Sequence, residues 1–414
     1  MASISPHELA LELLNRCLRG ADWPEELLAA LVEEALDEAP AVAGPATRAL
    51  FTVVVERLAD LFEPRLCDTY ARLFAQVVEQ VRPDLGPAAA LVDRYRQVRA
   101  ARRPAFEPET VLVPSRVTLG ADIAVTSLVL DAAKRRYPQA RIIFAATDQS
   151  WELFEKDPRL IHLPVRYGRG ALLRDRLAVF DELRAAAAAP GTLVLDPDSR
   201  LTQLGLLPVC EAERHHLFES RGYGGEGDEA LPALAARWLA ETLGVEDAEP
   251  YLHPRYHFEP GARPLVTASL GVGENPAKRV EDPFEEELLR HLAALDAQVM
   301  VDLGAPGSEE QERVEAALGA LGETAGAVGV HRGSFASFAA MIAASALYVG
   351  YDSAGQHVAA ALGVPRVVVF QGFASDRMLA RWMPEGPGRV TVLRRDRFQN
   401  VEQLLGAVRA AAHL

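Results

Sequence analysis

From Leu347 to Phe370 the chain reads L-Y-V-G-Y-D-S-A-G-Q-H-V-A-A-A-L-G-V-P-R-V-V-V-F, and its character changes three times. Residues 347–350 are an apolar run closed by glycine, residues 358–362 an apolar helix rich in alanine, and residues 367–370 a β-branched run. The segment predicts strand, turn, helix and strand. Asp352, Ser353 and Gly355 then fall where a strand gives way to a helix N-terminus, with free N–H groups and the positive dipole end available to an anion. A phosphate site and an ordinary turn with Ser353 as N-cap are both consistent with that pattern.

The same alternation runs through most of the chain. Strands are predicted over 111–113, 141–145, 160–165 and 192–195, with helices over 123–136, 172–189 and 232–243 between and after them. Residues 249–264 hold four prolines and no periodicity, and read as a hinge. Beyond it, strands at 265–270, 298–303, 327–330, 347–350, 367–370 and 390–393 alternate with helices at 284–295, 309–321 and 335–344. Alternating βα units imply an α/β chain with two doubly wound parallel sheets, whose ligands bind beyond the strands' carboxyl ends. Residues 1–100 carry leucines and valines at helical spacing and no strand signal, so four or five helices are expected there. The predicted organisation is a helical domain (1–104), a linker at 103–108, an acceptor-type domain (105–250), a nucleotide-type domain (251–400) and an amphipathic closing helix (401–414).

Composition narrows the function classes. At 414 residues with a formal charge of −15, a broad nucleic-acid footprint is excluded, so an anion must be met by a local basic pocket or a helix end. No apolar run is long enough to span a membrane, and residues 1–12 lack the layout of a signal peptide. Cys17, Cys67 and Cys210 are scattered without metal or redox spacing, which fits reduced thiols in the cytoplasm. The basic stretch 94–103 is read as a solvated helix face rather than a lipid-phosphate site.

Three strand-to-helix loops carry candidate chemistry. In Pro114-Ser-Arg-Val-Thr-Leu-Gly-Ala-Asp122, the aspartate is either an N-cap or a general base facing a cleft. In Ser269-Leu-Gly-Val-Gly-Glu-Asn-Pro-Ala-Lys-Arg279, Gly271 and Gly273 admit close backbone approach, and Lys278 and Arg279 bring positive charge. After Gly304-Ala-Pro-Gly-Ser, Glu309 or Glu310 either holds a ribose hydroxyl or complements the helix dipole.

Taken together, these stretches resemble glycosyltransferase family 9, the ADP-heptose:lipopolysaccharide heptosyltransferases. Asp352-Ser-Ala-Gly-Gln-His357 with the following V-A-A-A-L-G-V-P is similar to the family's D-S-G-x-x-H-x-A-A-A-L-G-x-P signature. Gly-Glu-Asn-Pro-Ala-Lys-Arg resembles its donor-phosphate loop, Thr118-Leu-Gly-Ala-Asp122 its Gly-Asp loop, Gly304-Ala-Pro its turn before the ribose glutamate, and Arg381-Trp-Met-Pro384 its late Trp-Pro segment. The resemblance covers about residues 108–414.

It implies a GT-B fold and an inverting bacterial transferase that needs no metal and no cofactor beyond a nucleotide-sugar co-substrate. Asp122 is then the general base. Lys278 and the N–H groups of Ser353, Ala354 and Gly355 receive the diphosphate, with Asn275, Gly271, Gly273, Asp352 and His357 around it and Glu309 or Glu310 on the ribose. Arg116, Thr118, Asp198 and Arg200 are assigned to the acceptor side, for a saccharide, glycolipid or protein acceptor. The helical segment is left to recruit a second copy or a partner protein, and the inner-membrane periphery is a second location compatible with the family.

Three positions depart from the family pattern, among them Val280, where the family often has tryptophan. Ala121 separates Gly120 from Asp122, and Ala354 stands where the family has glycine, with Gly355 one place later. Alanine disfavours positive φ, so an altered diphosphate turn is expected, and with it a second reading, a non-catalytic nucleotide- or glycan-binding module. Asp196-Pro-Asp198 matches a D-x-D metal pattern but also ordinary turn composition. His215-His216 and His253/His257 lack ligand partners at metal spacing, and the Gly-rich stretch 221–228 reads as a mobile surface loop. No Gly-x-Ser-x-Gly elbow and no Gly-x-Gly-x-x-Gly fingerprint is present, which disfavours a serine hydrolase and a dehydrogenase.

Overall fold

A computed structural model describes residues 4–168, 170–273 and 275–413; Glu274 of the donor-type loop lies outside the described residues. By contact the chain forms two compact units. One comprises Met1–Thr118, Leu128–Ser150 and Arg159–Ala248, the other Leu119–Ser127, Trp151–Pro158 and Glu249–Leu414.

The first unit holds β1 (Thr110–Pro114), β2 (Arg141–Ala146), β3 (Leu160–Pro164), β4 (Thr192–Asp196) and β5 (His215–Leu217), all parallel in the order β3-β2-β1-β4-β5. β5 carries no sequence signal, because three residues are too few to show a period and two of them are histidines. N-terminal helices Pro6–Leu18, Glu25–Ala35, Pro40–Arg48, Pro64–Val81 and Ala88–Val98 precede this sheet, and Ser5 and Glu8 close the first with a reciprocal capping box. These helices do not have a core to themselves. Leu31, Phe74 and Tyr95 share one apolar cluster with Leu112 of β1, Val194 of β4 and Phe180.

Arg94 and Arg102 reinforce that union, whereas Arg96 of the same basic stretch is exposed, as a solvated helix face requires. Arg94 donates to the Cys210 carbonyl at 2.9 Å and to Nδ1 of His215 at 2.9 Å, and Arg102 donates to the His215 carbonyl at 3.1 Å. His215 in turn sets Nε2 3.1 Å from Asp196, and both histidines of the pair are buried, as is Asp196. The Gly-rich stretch also turns inward at its start: Arg221 is 3 % exposed and grips Asp198.

The second unit holds β6 (Leu265–Ser269), β7 (Gln298–Asp302), β8 (Val328–His331), β9 (Leu347–Tyr351), β10 (Arg366–Phe370) and β11 (Val390–Arg394), parallel in the order β11-β10-β9-β6-β7-β8. Counted from β6 this is 3-2-1-4-5-6, the doubly wound arrangement in which the chain reverses direction between β6 and β9. β6, β9 and β10 are buried along their whole length, as a sheet covered on both faces requires. Among the described residues, no helix is long and apolar enough to cross a membrane.

Candidate functional site

The reversal between β6 and β9 is where a doubly wound sheet receives its ligands, beyond the strands' carboxyl ends, and the two loops singled out in the sequence emerge there. After β6, Asn275 caps the single helical turn Pro276–Lys278 by accepting from Ala277 N at 3.1 Å. Gly372 packs so closely on this turn that an added Cβ would lie 2.8 Å from Lys278 N, and Asn275 Nδ2 reaches the Gly372 carbonyl at 3.4 Å. Fixed at its base, Lys278 sends Nζ to 2.6 Å from Asp352 Oδ2 and 3.1 Å from the Asp352 carbonyl, after β9. Arg279 turns away to Asp282 and Glu285, so of the two basic residues only Lys278 meets the β9 turn.

Asp352 is 7 % exposed, and its other carboxylate oxygen accepts from Gln356 one helical turn on. Ser353 occupies the N-cap of helix Ala354–Ala361 in extended conformation but makes no side-chain cap bond, which leaves the first N–H groups of this helix without it. Ala354 is not among the residues of positive φ, and Ala121, at φ −72°, ψ −33°, is an ordinary helical residue. The expected distortion from two glycine-to-alanine changes is therefore not found. The glycine requirement sits one residue later and has a different cause. A Cβ on Gly355 would fall on the hydroxyl of Tyr348 and 2.7 Å from its Cε2 and Cζ, and Tyr348 is fully buried.

Gly355→Ala is accordingly expected to destabilise the protein by about 1–3 kcal/mol, as overpacking does. Ala354→Gly is expected to cost less than about 1 kcal/mol. Urea denaturation of the two variants compares them, and equal losses would remove the steric argument.

Asp122 does not start a helix. Leu119–Ala121, Asp122–Thr126 and Ser127–Arg136 run on as one helix, and Ser127 N–H reaches back to the Asp122 carbonyl, one residue further than in an α-turn. The N-cap reading thus falls, and the wide turn is of a kind often found at functional sites. Asp122 is fully buried and accepts from Thr126 Oγ1 at 2.7 Å. This segment belongs by contact to the second unit and packs on helix Ala354–Ala361. At Gly120 an added Cβ would lie 3.0 Å from His357 Cδ2 and 3.3 Å from Ala354 Cα. His357 is also buried, set edge-on to Trp382 with ring centres 5.6 Å apart; burial lowers its pKa to about 4 against the pull of Asp352, so it is neutral at pH 7.

On the β7 side, Ser308 caps helix Glu309–Gly319. That phase leaves Glu309 exposed and folds Glu310 back, so that Cβ atoms on Gly271 and Gly304 would lie 2.7 and 2.8 Å from its carboxyl group. Burial first, and Asp302 second, push Glu310 up to about 7. The structure thus separates the two candidates, bringing Glu310 and not Glu309 against the Gly271 loop.

The four acceptor-side candidates divide similarly. Arg116 and Thr118 are half-buried at the carboxyl end of β1. Asp198, 1 % exposed, has its carboxylate taken by Arg221 at 3.1 Å and Ser220 at 2.7 Å, and Arg200 lies 3.5 Å from Glu56 of the N-terminal helices. Both are thereby tied within the first unit.

Residues 249–380 match the family model described as glycosyltransferase family 9 (heptosyltransferase). No curated protein shows significant similarity to the chain. Among solved structures, a glycosyl transferase family 9 protein from Veillonella parvula aligns over 74% of this chain and 99% of its own, with a TM-score of 0.54 and 17% identity. The E. coli heptosyltransferase WaaC with ADP aligns over 73% of this chain and 100% of its own, with a TM-score of 0.51 and 15% identity. At such identities the likeness is one of fold, which is GT-B.

Proposed function

We propose that this chain, whose residues 249–380 match the glycosyltransferase family 9 model, transfers a sugar from a nucleotide sugar, ADP-heptose or a close relative, to a hydroxyl of a saccharide, glycolipid or protein acceptor. The proposed reaction inverts the anomeric centre and uses no metal, and the proposed setting is the cytoplasm or the inner-membrane periphery. The observation that carries the reading is the Lys278 ammonium fixed against Asp352 at the reversal between β6 and β9, beside a helix N-terminus. A diphosphate there would meet a cation and N–H donors already in place, the arrangement that stabilises negative charge on a leaving group.

In this mechanism Asp122 accepts the proton of the acceptor hydroxyl as its oxygen forms a bond to the anomeric carbon from the face opposite the diphosphate. The bond from that carbon to the phosphate oxygen breaks, and its electron pair leaves with the nucleoside diphosphate. Neutral His357 stands between the Asp122 helix and the Asp352 turn and supports the geometry of both. Glu310 takes the ribose hydroxyls, Gly271 and Gly273 let the backbone approach, and Asn275 keeps the lysine turn in shape. The non-catalytic alternative rested on Ala121 and Ala354, whose ordinary helical conformations give it no support.

The test is titration calorimetry with ADP. Ribose hydroxyls donate to a carboxylate, so affinity should rise as Glu310 loses its proton near pH 7. Between pH 6 and 8 one such group gives at most about a tenfold gain. Glu310→Gln should flatten this component of the pH dependence relative to the wild type. Absence of ADP binding by the wild-type chain would sink the donor assignment, and an unchanged pH profile in the variant would sink the role of Glu310.

A further inference from the structure

The N-terminal helices contact the loop at one particular place in the first sheet. The chain reverses between β1 and β4, so the carboxyl ends of these strands flank that sheet's own ligand crevice. Of the five described non-glycine residues at positive φ, four lie there: Val117 (72°), Asp198 (71°), Gln203 (48°) and Leu204 (57°). Left-handed backbone is unfavourable for such residues, valine most of all, and persists only where surrounding structure imposes it.

The N-terminal helices supply two of the groups that hold this loop, Tyr70 directly and Tyr95 through Arg221. Tyr70 donates its hydroxyl to the Gln203 carbonyl at 3.0 Å. Its ring lies under the Arg221 guanidinium, 4.9 Å from the ring centre, while Arg221 grips both oxygens of Asp198 and reaches the Tyr95 hydroxyl at 3.3 Å. Tyr95 donates onward to Glu219. Asp198 accepts from Ser220 at 2.7 Å, and Arg116 donates to the same Ser220 oxygen at 3.1 Å and to the Pro197 carbonyl. A continuous polar path therefore runs from two helix tyrosines through Arg221, Asp198 and Ser220 to Arg116. Apolar packing alone would need neither these directed bonds to one loop nor the left-handed residues they hold.

We infer that the N-terminal helices are a positioning frame for the acceptor subsite: they hold residues 197–205 in their left-handed course and thereby aim Arg116 at the acceptor saccharide. The inference rests on the glycosyltransferase reading. Tyr70 and Tyr95 act through other residues and are positioning residues.

The test uses the full chain and the variant Tyr70→Phe/Tyr95→Phe, which keeps both rings and removes both hydroxyls. Three measurements are compared with wild type: amide hydrogen exchange, ADP binding by calorimetry, and retention on an array of bacterial oligosaccharides. Expected are at least tenfold faster exchange confined to residues 197–205, about tenfold weaker saccharide retention, and an ADP affinity within twofold of wild type. Unchanged exchange in the loop, exchange raised throughout the first unit, or full retention despite a loosened loop would each overturn the inference. So would a wild-type chain that binds ADP but retains no saccharide. A wild-type chain that fails to bind ADP overturns the donor reading instead, which the exchange data do not depend on.

Discussion

Lys278→Met is expected to lower both stability and turnover, and the two losses separate by comparison with Asp352→Asn. The side chains of Lys278 and Asp352 are 18% and 9% exposed, and Nζ and Oδ2 stand 2.6 Å apart. Removing the ammonium leaves a largely buried carboxylate with Gln356 still beside it. Breaking one side of such a pair costs roughly 3–5 kcal/mol, and residual solvent at the lysine favours the lower end. Asp352→Asn frees the ammonium, which is the better exposed partner, and keeps an amide near Gln356, so its stability loss should be smaller. Turnover distinguishes the roles. Loss of a cation that stabilises the departing diphosphate lowers kcat by about 10²–10³ under conditions where the variant is folded. Initial rates of nucleotide-sugar turnover, read beside urea denaturation, decide the matter: kcat in Lys278→Met no lower than in Asp352→Asn would make the pair structural only.

The layout of the sheets was legible because strands covered on both faces must be apolar throughout. β9 and β10 stand out for this reason, and the turn between β9 and its helix stands out because Asp, Ser and Gly interrupt two apolar runs. The positions of individual charges were not legible. Charge along a chain says nothing of where a long guanidinium ends, so Arg94, Arg102 and Arg221, apparently surface residues, proved to be internal ties of the N-terminal helices to the first sheet. Glu309 and Glu310 could not be told apart by composition, since neighbours on a helix point about 100° apart and only the Ser308 cap fixes the phase. Ala354 was misjudged because glycine was expected to serve positive φ, whereas the constraint is the approach of buried Tyr348 to Gly355. β5 was too short to carry a pattern, and the left-handed backbone at Asp198 accompanies side-chain bonds from Ser220 and Arg221, 22 and 23 residues on, that no local signal announces.

Asp122→Asn should bring the largest loss of turnover with the least change in structure. The aspartate is fully buried within a continuous helix, so any substitution must preserve its volume and its bond from Thr126. Asparagine does both, since its carbonyl oxygen still accepts from the threonine hydroxyl; the stability change should stay within about 1 kcal/mol. What asparagine cannot do is take up a proton. A positioned general base contributes typically 10²–10⁴-fold, and kcat should fall by about that factor while ADP affinity stays at the wild-type value. The wide turn at Asp122–Thr126 sharpens the expectation. It adds a residue to one turn of the helix whose Gly120 already touches His357 and Ala354, so Asp122 is set beside the same turn that Lys278 faces. Thr126→Val supplies the control for position without chemistry: losing the hydroxyl should reduce kcat far less than losing the carboxylate. Wild-type turnover in Asp122→Asn, measured as nucleoside diphosphate released in the presence of acceptor, would exclude the aspartate as the base.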